Sequence, residues 1–383
     1  VNLGANKGKP ETLSCDTPST AQGNPINAAI GNKFQQEEDF RGGGPYPLHF
    51  SRHYNSVDGY WRHSYSTRLR ISSSLVTLIH ADGRESAFAI SGSSITAGPS
   101  ELGALEQLSS GWQYTSAEQE VFEFDGQGRL LRTTNANGQY HQLTYGANDD
   151  VEVEDTFGNQ LSFTQDERHQ PLSLSTANLS FTYNYDATAR LTSVETLANG
   201  QTFERQFHYE NTSYPRFLTG ITDERNVRFV TWEYDALGRA TKSVYADGAN
   251  ETNISYNTDG STTVTNALGR ETHYSYSTIN GVKRITAIDG EPAPNCPASN
   301  SSYSYDSRGL LASKTNERGI VTTYQYNAQG LEISRTEASG TPEERTITTQ
   351  WHATLHLPIL INEPQRKIEM TYDANGRLLN PQP

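Results

Sequence analysis

The chain contains little cysteine: only Cys15 and Cys296 occur among its 383 residues. Their positions match no metal-binding or redox spacing. The sequence therefore favours two unpaired thiols, and the alternative is a disulfide between Cys15 and Cys296. That alternative requires the two Cα atoms to lie within about 7 Å, which the sequence does not determine.

Positive charge and long apolar segments are also scarce. Lys and Arg number 30 against 44 Asp and Glu, giving a net charge of −14. This balance argues against binding to nucleic acids or anionic membranes, since both require a basic surface. No apolar run approaches the ~20 residues that span a bilayer. Hydrophobic residues make up 34% of the chain and include 21 Tyr and 13 Phe, so aliphatic core residues are few. This composition favours thin, one-layer β-structure over a deep core.

A short motif recurs along most of the chain. Close copies are "FDGQGR", "YDATAR", "YDALGR" and "YDANGR", and weaker copies include "YDSRGL" and "YNAQGL". An aromatic anchor opens each unit about every 22 residues. The anchors are Phe124, Tyr145, Phe163, Tyr185, Tyr209, Tyr234, Tyr256, Tyr276, Tyr305, Tyr326, Trp351 and Tyr372.

The residues around each anchor predict short antiparallel strands. Apolar or aromatic residues two positions apart precede most anchors, as in "WEY" and "YSY", and this period places them on one face of a strand. Asp or Asn followed by Gly forms one turn, and a second turn such as "NANG" or "NERG" follows about ten residues later. Each unit thus reads strand, turn, strand, turn. We expect an all-β chain over residues 45–379 with almost no helix.

The repeated side chains are interpreted as structural. We expect the aromatic anchors to stack from strand to strand, and each Arg to bridge to the Asp four residues before it or to a carbonyl of the next hairpin. Tyr234→Ala should then cost about 2–4 kcal/mol, whereas a turn residue such as Tyr46 should contribute little. The predicted motif residues are Phe124, Asp125, Gly128, Arg129, Tyr185, Asp186, Arg190, Tyr234, Asp235, Gly238, Arg239, Tyr305, Asp306, Gly309, Tyr326, Gly330, Tyr372, Asp373, Gly376 and Arg377.

These copies resemble the YD repeat of the RHS (rearrangement hot spot) family. Segments nearer the N-terminus resemble the start of the RHS core: "GNPINAAIGNKFQQEEDF" at 23–40, "PLHFSRHYNS" at 47–56 and "HADGRESAF" at 80–88. The resemblance implies an antiparallel sheet wound as a spiral, solenoid-like shell. It also implies the following division of the chain: an N-terminal arm (1–20), an N-terminal β-region (21–118), about eleven repeat units (119–379) and a tail (380–383).

The same resemblance sets the functional expectation. Relatives enclose a polypeptide or act as extracellular scaffolds, and the "DPxG"-type segment that precedes a C-terminal toxin does not follow "YDANGR" here. We therefore expect a secreted, non-catalytic shell segment, without cofactors, that pairs with itself or another chain through its sheet edges. The N-terminal arm is a candidate strand donor. The chain begins at Val1 rather than Met, as it would after removal of a signal peptide or in a trimmed preparation.

Alternatives remain open at this point. Two units contain about 45 residues, close to the ~40–45 of a propeller blade. An adhesin could stack exposed Tyr and Trp on glycans, and a hydrolase could lie on the repeat scaffold. The carboxylates at 37–39 and 149–155 lack an EF-hand pattern. The pair His352 and His356, expected on one strand face, lacks a third zinc ligand.

Overall fold

The computed structural model describes residues 2–10, 18–147, 150–290, 300–373 and 376–382. Cys15 and Cys296, and with them the predicted alternative of a disulfide, lie outside these residues. Within them, helix is limited to α1 (Leu3–Asn6) and one 3-10 turn (Ala246–Gly248). The all-β prediction is confirmed.

Two small sheets precede a large one. The first sheet contains β1 (Ala21–Gln22), β2 (Ile26–Asn27), β3 (Asn32–Arg41), β4 (His49–Asn55) and β5 (Tyr60–His63). The second contains β6 (Arg68–Ile71), β7 (Leu75–Ile79), β8 (Glu85–Ser91) and β9 (Ser94–Ala97). We call residues 18–98, which carry both sheets, the N-terminal module.

The large sheet has 26 strands. They are β10 (Ala104–Leu108), β11 (Gly111–Thr115), β12 (Val121–Phe124), β13 (Leu130–Thr134), β14 (Tyr140–Tyr145), β15 (Asp150–Asp155), β16 (Gln160–Gln165), β17 (Pro171–Ser175), β18 (Leu179–Tyr185), β19 (Leu191–Ala198), β20 (Gln201–His208), β21 (Gly220–Thr222), β22 (Arg228–Tyr234), β23 (Ala240–Tyr245), β24 (Thr252–Tyr256), β25 (Thr262–Thr265), β26 (Glu271–Ile279), β27 (Val282–Gly290), β28 (Ser301–Tyr305), β29 (Leu311–Thr315), β30 (Val321–Tyr326), β31 (Glu332–Glu337), β32 (Arg345–Trp351), β33 (Pro358–Glu363), β34 (Arg366–Tyr372) and β35 (Leu378–Gln382).

The strands of the large sheet follow chain order without a crossover, and each pairs antiparallel with the next. A propeller would divide the same strands into separate four-stranded blades, so the propeller alternative is wrong. The large sheet already begins at Ala104, although the repeat array was predicted from residue 119. The hairpin β10–β11 carries no YD motif, and for this reason the motif alone did not assign it to the large sheet.

The large sheet curls back on itself. Glu101 accepts a hydrogen bond from Tyr114 of β11 (Oε1 to hydroxyl, 2.9 Å), while its neighbour Leu102 packs on Gly330, between β30 and β31. In a flat sheet these strands would lie about 90 Å apart, at ~4.8 Å per strand. The carbonyl of Ala117 and the ring of His356, in the β32–β33 turn, also form a hydrogen bond. The sheet therefore completes a turn in about 20 strands.

The N-terminal module lies on one face of the curled sheet, which we call the inner face. Phe50 of β4 contacts Phe163 of β16 with ring centroids 5.4 Å apart, and Trp61 of β5 contacts Phe207 of β20 at 5.1 Å. Lys33 of β3 lies 4.1 Å from the ring centroid of Trp232, on β22. The module thus contributes a second layer over the middle strands, where the composition predicted a single layer.

Full burial of apolar side chains stops at the part of the large sheet that the N-terminal module does not cover. Fully buried apolar side chains occur on nearly every strand up to Leu331, and in the described residues beyond it no apolar side chain is fully buried. We call the inner face of β29–β34 the uncovered segment. The same sheet therefore has a packed half and a solvated half.

The arm does not lie along a sheet edge. The amide of Asn2 donates to the Gly281 carbonyl at the β26–β27 turn (2.8 Å), and Lys7 pairs with Asp58 (3.0 Å) and Glu85 (2.8 Å). The expectation that the arm donates a strand is thus wrong for residues 2–10. Its polar groups are satisfied inside the fold instead.

Candidate functional site: the repeat unit and the inner face

Eight of the twelve anchors lie beside a β-bulge. The register between neighbouring strands shifts at Phe124, Tyr185, Tyr234 and Tyr305, and the same shift occurs at Tyr276, Tyr326, Trp351 and Tyr372. A bulge places an extra residue on one strand and disrupts the ladder of backbone hydrogen bonds. The bulge thus leaves backbone groups that need another partner.

Anchor hydroxyls satisfy carbonyl groups of the preceding unit. The Tyr145 hydroxyl donates to the Leu130 carbonyl (2.7 Å), and Tyr256 donates to Ala240 (2.7 Å). Equivalent bonds join Tyr185 to Pro171, Tyr234 to Leu218, Tyr305 to Ile285 and Tyr372 to Pro358. In two copies, at Leu130 and Ala240, the accepting residue directly follows the motif Arg. Each tyrosine thereby ties its own hairpin to the one before it.

The Asp and Gly of the motif build the turn. Asp125 Oδ1 accepts the amides of Gln127 and Arg129, both at 2.9 Å, and Asp186, Asp235, Asp306 and Asn327 make the same pair of bonds. For Arg377 the structure gives the amide bond to Asp373 Oδ1, 2.8 Å. Gly128 has a φ of 86°, and a Cβ there would lie 2.4 Å from the Leu69 carbonyl oxygen. A side chain is therefore excluded at Gly128 by both strain and contact.

The Arg of the motif has two partners. Arg129 Nε lies 2.7 Å from Asp125 Oδ2, and the same pair joins Arg190 to Asp186 and Arg239 to Asp235. The Arg129 guanidinium also lies 4.9 Å from the ring centroid of Tyr145, the next anchor. Arg190 faces Tyr209 and Arg239 faces Tyr256 in the same way. In "YDSRGL" the pairing moves to Arg308, whose Nη2 lies 3.0 Å from Asp306.

The expected stacking of anchor on anchor is wrong. Consecutive anchors lie two strands apart, about 10 Å, whereas aromatic pairs need centroids within roughly 4.5–7 Å. A guanidinium occupies part of this gap at the three positions named above. Phe163 was also assigned two positions too early in the pattern. The residue that precedes Asp166 beside the bulge is Gln165, whose amide oxygen lies 3.0 Å from His63 Nε2.

The covered part of the inner face contains a buried ion pair. Arg52 is 1% exposed and bonds Asp39 through two nitrogens, at 2.6 and 2.9 Å. The Tyr183 hydroxyl of β18 donates to the same carboxylate (2.8 Å). This ion pair joins the module to the sheet, and no feature of the sequence pattern identified it.

The uncovered segment carries paired charges on β31 and β32. Arg335 lies between two carboxylates, 3.7 Å from Glu332 and 3.1 Å from Glu337, and Arg345 pairs with Glu337 at 2.5 Å. These groups and Tyr324 line an open cleft of about 910 Å³. Burial raises the pKa of Glu332. The inner face thus changes from packed rings to paired charges at β31–β32, while half-buried isoleucines of β32–β34 share the same face.

Several residues considered for catalysis or metal binding take other positions. His352 and His356 lie in the β32–β33 turn rather than on one strand face, because β32 ends at Trp351. Glu152 and Glu154 are exposed beside the buried Val151 and Val153, as the alternation predicted. Within the described ranges, no group of three or more His, Cys, Asp or Glu side chains could hold a metal ion.

Exposed aromatic side chains are few on this surface. Trp61, Trp112 and Trp232 are buried, and the indole nitrogen of the half-buried Trp351 donates to the Glu332 carbonyl (2.8 Å). Glycan stacking needs rings that water can reach. The tryptophans therefore give no support to the adhesin interpretation. Among the described residues, no helix has the length and apolar composition needed to cross a membrane.

Tyr234→Ala is expected to lower the free energy of unfolding by about 2–4 kcal/mol, because the ring and one hydrogen bond are lost together. Tyr46 was a wrong choice of control, since its hydroxyl bonds Glu120 (2.9 Å) and its ring lies 4.3 Å from that of His141. Tyr245, which is 38% exposed, replaces it. Urea denaturation that shows equal losses for Tyr234→Ala and Tyr245→Ala would contradict the structural role of the anchor.

Acid is expected to destabilise the fold through buried histidines. Burial lowers the pKa of His63 to about 3, and burial also lowers the pKa of His53 and His80. The unfolded chain therefore binds more protons below pH 6.5, and stability falls as the pH decreases from 6.5 toward 3. At pH 5 each such histidine costs about 2 kcal/mol. We expect the free energy of unfolding to fall less between pH 7 and pH 5 in His63→Gln than in the native protein. In His352→Gln it should fall by as much as in the native protein.

Comparisons with known proteins agree with the repeat geometry. The RHS Repeat family matches residues 305–342, from the last residue of β28 through β31, and a domain of unknown function (DUF6531) matches residues 23–88. No curated protein matches the chain in sequence. Crystal structures of TcdB2-TccC3 share 12% identity over 97% of this chain, with TM-scores of 0.35 and, without the hypervariable C-terminal region, 0.36. The structure of TcdB2-TccC3-Cdc42 shares 13% identity over 89%, with a TM-score of 0.34.

The chain spans about a fifth of the length of those proteins. The identification depends on the repeat itself. The segment that the RHS Repeat family matches has the strand, bulge and Asx turn found from Phe124 to Tyr372. The RHS Repeat match and the geometry of the repeat unit together support an RHS (YD-repeat) protein.

Proposed function

We propose that this protein is a non-catalytic structural component of a β-shell, which encloses or presents a polypeptide outside the cell that makes it. One observation carries the proposal: the large sheet curls around the N-terminal module and leaves the inner face of β29–β34 without a packing layer among the described residues. A face that curves inward and remains solvated is suited to enclose another molecule.

The chemistry of that face supports a polypeptide as the contained molecule. Where the module packs, the inner face is apolar, with Val153, Phe163 and Trp232 buried. At β31–β32 of the uncovered segment, paired charges such as Arg335–Glu337 replace them. Paired charges keep their own water, and this part of the face therefore offers little drive for the apolar collapse of an unfolded chain against it.

The sheet edges are the second proposed contact. Strand β35 pairs only with β34 among the described residues, and it carries Leu378 and Leu379 at 50% and 65% exposure. An unpaired edge offers a row of backbone donors and acceptors to another strand. We propose that β35 pairs with a further strand of an RHS sheet, from this protein or from another chain. Glycans are not included, because the tryptophans are buried or half-buried and no other observation supports glycan binding.

Site-specific photocrosslinking tests the enclosure. A photoreactive phenylalanine analogue at Thr349, on the inner face, should crosslink a second polypeptide when the protein is produced in its native cells. The same group at the next residue, Gln350, points to the opposite face and is the matched control. Mass spectrometry identifies the partner. Equal yields at both positions, or no crosslink at Thr349, would remove the proposal.

A further inference from the structure

A cleft of about 660 Å³ lies at the seam between the N-terminal module and β27–β29. The arm, the β7–β8 hairpin, residues 98–101 and the start of β27 form its walls. Among the described residues its charged side chains are five cations and two carboxylates: Lys7, Lys9, Arg84, Lys283 and Arg284, with Glu85 and Glu101. This excess of positive charge occurs in a chain whose net charge is −14.

Both carboxylates of the cleft already have ion-pair partners. Glu85 pairs with Lys7 at 2.8 Å, and Glu101 lies 3.6 Å from Arg84 and accepts the Tyr114 hydroxyl. Lys7 also has Asp58 at 3.0 Å. These pairs neutralise Lys7 and Arg84. Of the three remaining cations, Lys9 lies on the arm, and the excess on the β27 side is two charges.

Lys283 and Arg284 carry that excess. Among the described residues neither side chain has a carboxylate within ion-pair distance, and Arg284 Nε is buried without a hydrogen-bond acceptor. The Arg284 guanidinium packs on the backbone of Gly309, where a side chain would have crowded it. Lys283 lies 5.3 Å from the centroid of Tyr276. Burial, together with the like charge of Arg239, lowers the pKa of Lys283. Two consecutive residues of β27, whose side chains leave opposite faces of the strand, thus hold half-buried cations without a counter-charge among the described residues.

We propose that this cleft binds a small anionic ligand with two or more phosphate or carboxylate groups, held by Arg284 and Lys283. An unpaired buried donor costs free energy that an anionic oxygen would recover. Guanidinium matches the geometry of either oxyanion through two parallel hydrogen bonds. The cleft volume lies within the range of small-molecule sites, and walls of one charge sign concentrate counter-ions.

The position of the site adds a structural consequence. The β26–β27 turn also holds the arm, since Asn6 Nδ2 donates to the Gly281 carbonyl (2.9 Å) and Asn6 Oδ1 accepts the Lys283 amide (3.0 Å). A ligand on Lys283 and Arg284 would therefore touch the module and the sheet together. Binding would stabilise their docking in proportion to ligand concentration.

Isothermal titration calorimetry at constant ionic strength tests the site, with pyrophosphate and citrate as probes and glycerol as the neutral control. We expect saturable binding of at least one anion and none of glycerol. Which anion binds separates phosphate from carboxylate ligands. The double variant Lys283→Gln/Arg284→Gln should weaken binding at least tenfold, whereas Arg318→Gln, which removes an exposed turn cation, should leave it unchanged.

Thermal melting shows whether the double variant is folded, so that a loss of binding is not mistaken for misfolding. The double variant should melt at or above the temperature of the native protein without ligand, because a repulsion is relieved, and it should lose the upward shift that the binding anion produces in the native protein. Arg284→Lys should retain weak binding. The proposal is overturned if neither anion binds the native protein, or if the double variant binds as tightly as the native protein.

Discussion

Trp61→Ala is expected to lower the free energy of unfolding by about 3–5 kcal/mol, the range for removing a large buried aromatic side chain. Trp61 is 1% exposed, and its indole nitrogen donates to the Tyr209 hydroxyl (3.0 Å). Its ring also contacts Tyr54 (5.4 Å) and Phe207 (5.1 Å). The substitution therefore opens a cavity between the module and the sheet. Urea denaturation followed by circular dichroism measures the loss.

Trp351→Ala is the matched control. Trp351 is an anchor of the repeat, but it lies on β32, where no second layer covers the inner face, and its ring is half-buried. We expect a clearly smaller loss. If the two substitutions cost the same, the module does not provide the packed half of the sheet.

The second large effect is expected from Asp39→Ala, at about 3–5 kcal/mol. This substitution leaves Arg52 buried with its charge uncompensated, above the rings of Trp61, Tyr183 and Phe207. Removing one partner of a buried pair costs more than removing both. The double variant Asp39→Leu/Arg52→Met should therefore recover much of the loss.

Arg41→Met, which removes an exposed partner of Glu38, should leave the free energy of unfolding nearly unchanged, because solvent screens an exposed ion pair. Equilibrium unfolding of the three variants supplies the comparison. A double variant less stable than Asp39→Ala alone would show that shape at this position matters more than charge.

The sequence predicted the repeat unit because its residues act locally. Asp125, Gly128 and Arg129 lie within five positions, so turn chemistry and one ion pair determine their arrangement before any tertiary contact forms. Period-2 aromatics likewise determine which face of a strand is apolar. The all-β fold and the antiparallel order of the strands follow from these local rules.

The bulges and the curl could not be predicted in the same way. The bulge at Tyr234 depends on how β22 aligns with its partner strand β23. The motif describes the residues of one strand and does not determine that alignment. The curl depends on contacts between distant residues such as Leu102 and Gly330, which no local pattern records. The stacking prediction failed for a related reason: the spacing along the chain was known, but the two-strand spacing across the sheet was not used.

The packing of the covered inner face could not be predicted from the sequence, for a third reason. Arg52 and Lys33 are charged residues that the fold buries almost completely, and a charged residue in a strand normally indicates a solvated face. Their partners, Asp39 for Arg52 and backbone carbonyls with the Trp232 ring for Lys33, become apparent only when the module is placed on the sheet. Likewise, nothing in the sequence pattern indicated that the charged side chains of the uncovered segment lie on the inner face.

The measurement that tests the central claim most directly is a distance between spin labels at Glu118 and Thr354, with Cys15 and Cys296 replaced by Ser. Both labelled residues are exposed, in the β11–β12 and β32–β33 turns. The curled sheet brings these turns into contact through Ala117 and His356, so double electron–electron resonance should give a narrow distribution below about 30 Å. A flat sheet would separate them by about 100 Å, at ~4.8 Å per strand. The absence of dipolar coupling within the range of the method would contradict the curl, and with it the enclosed inner face.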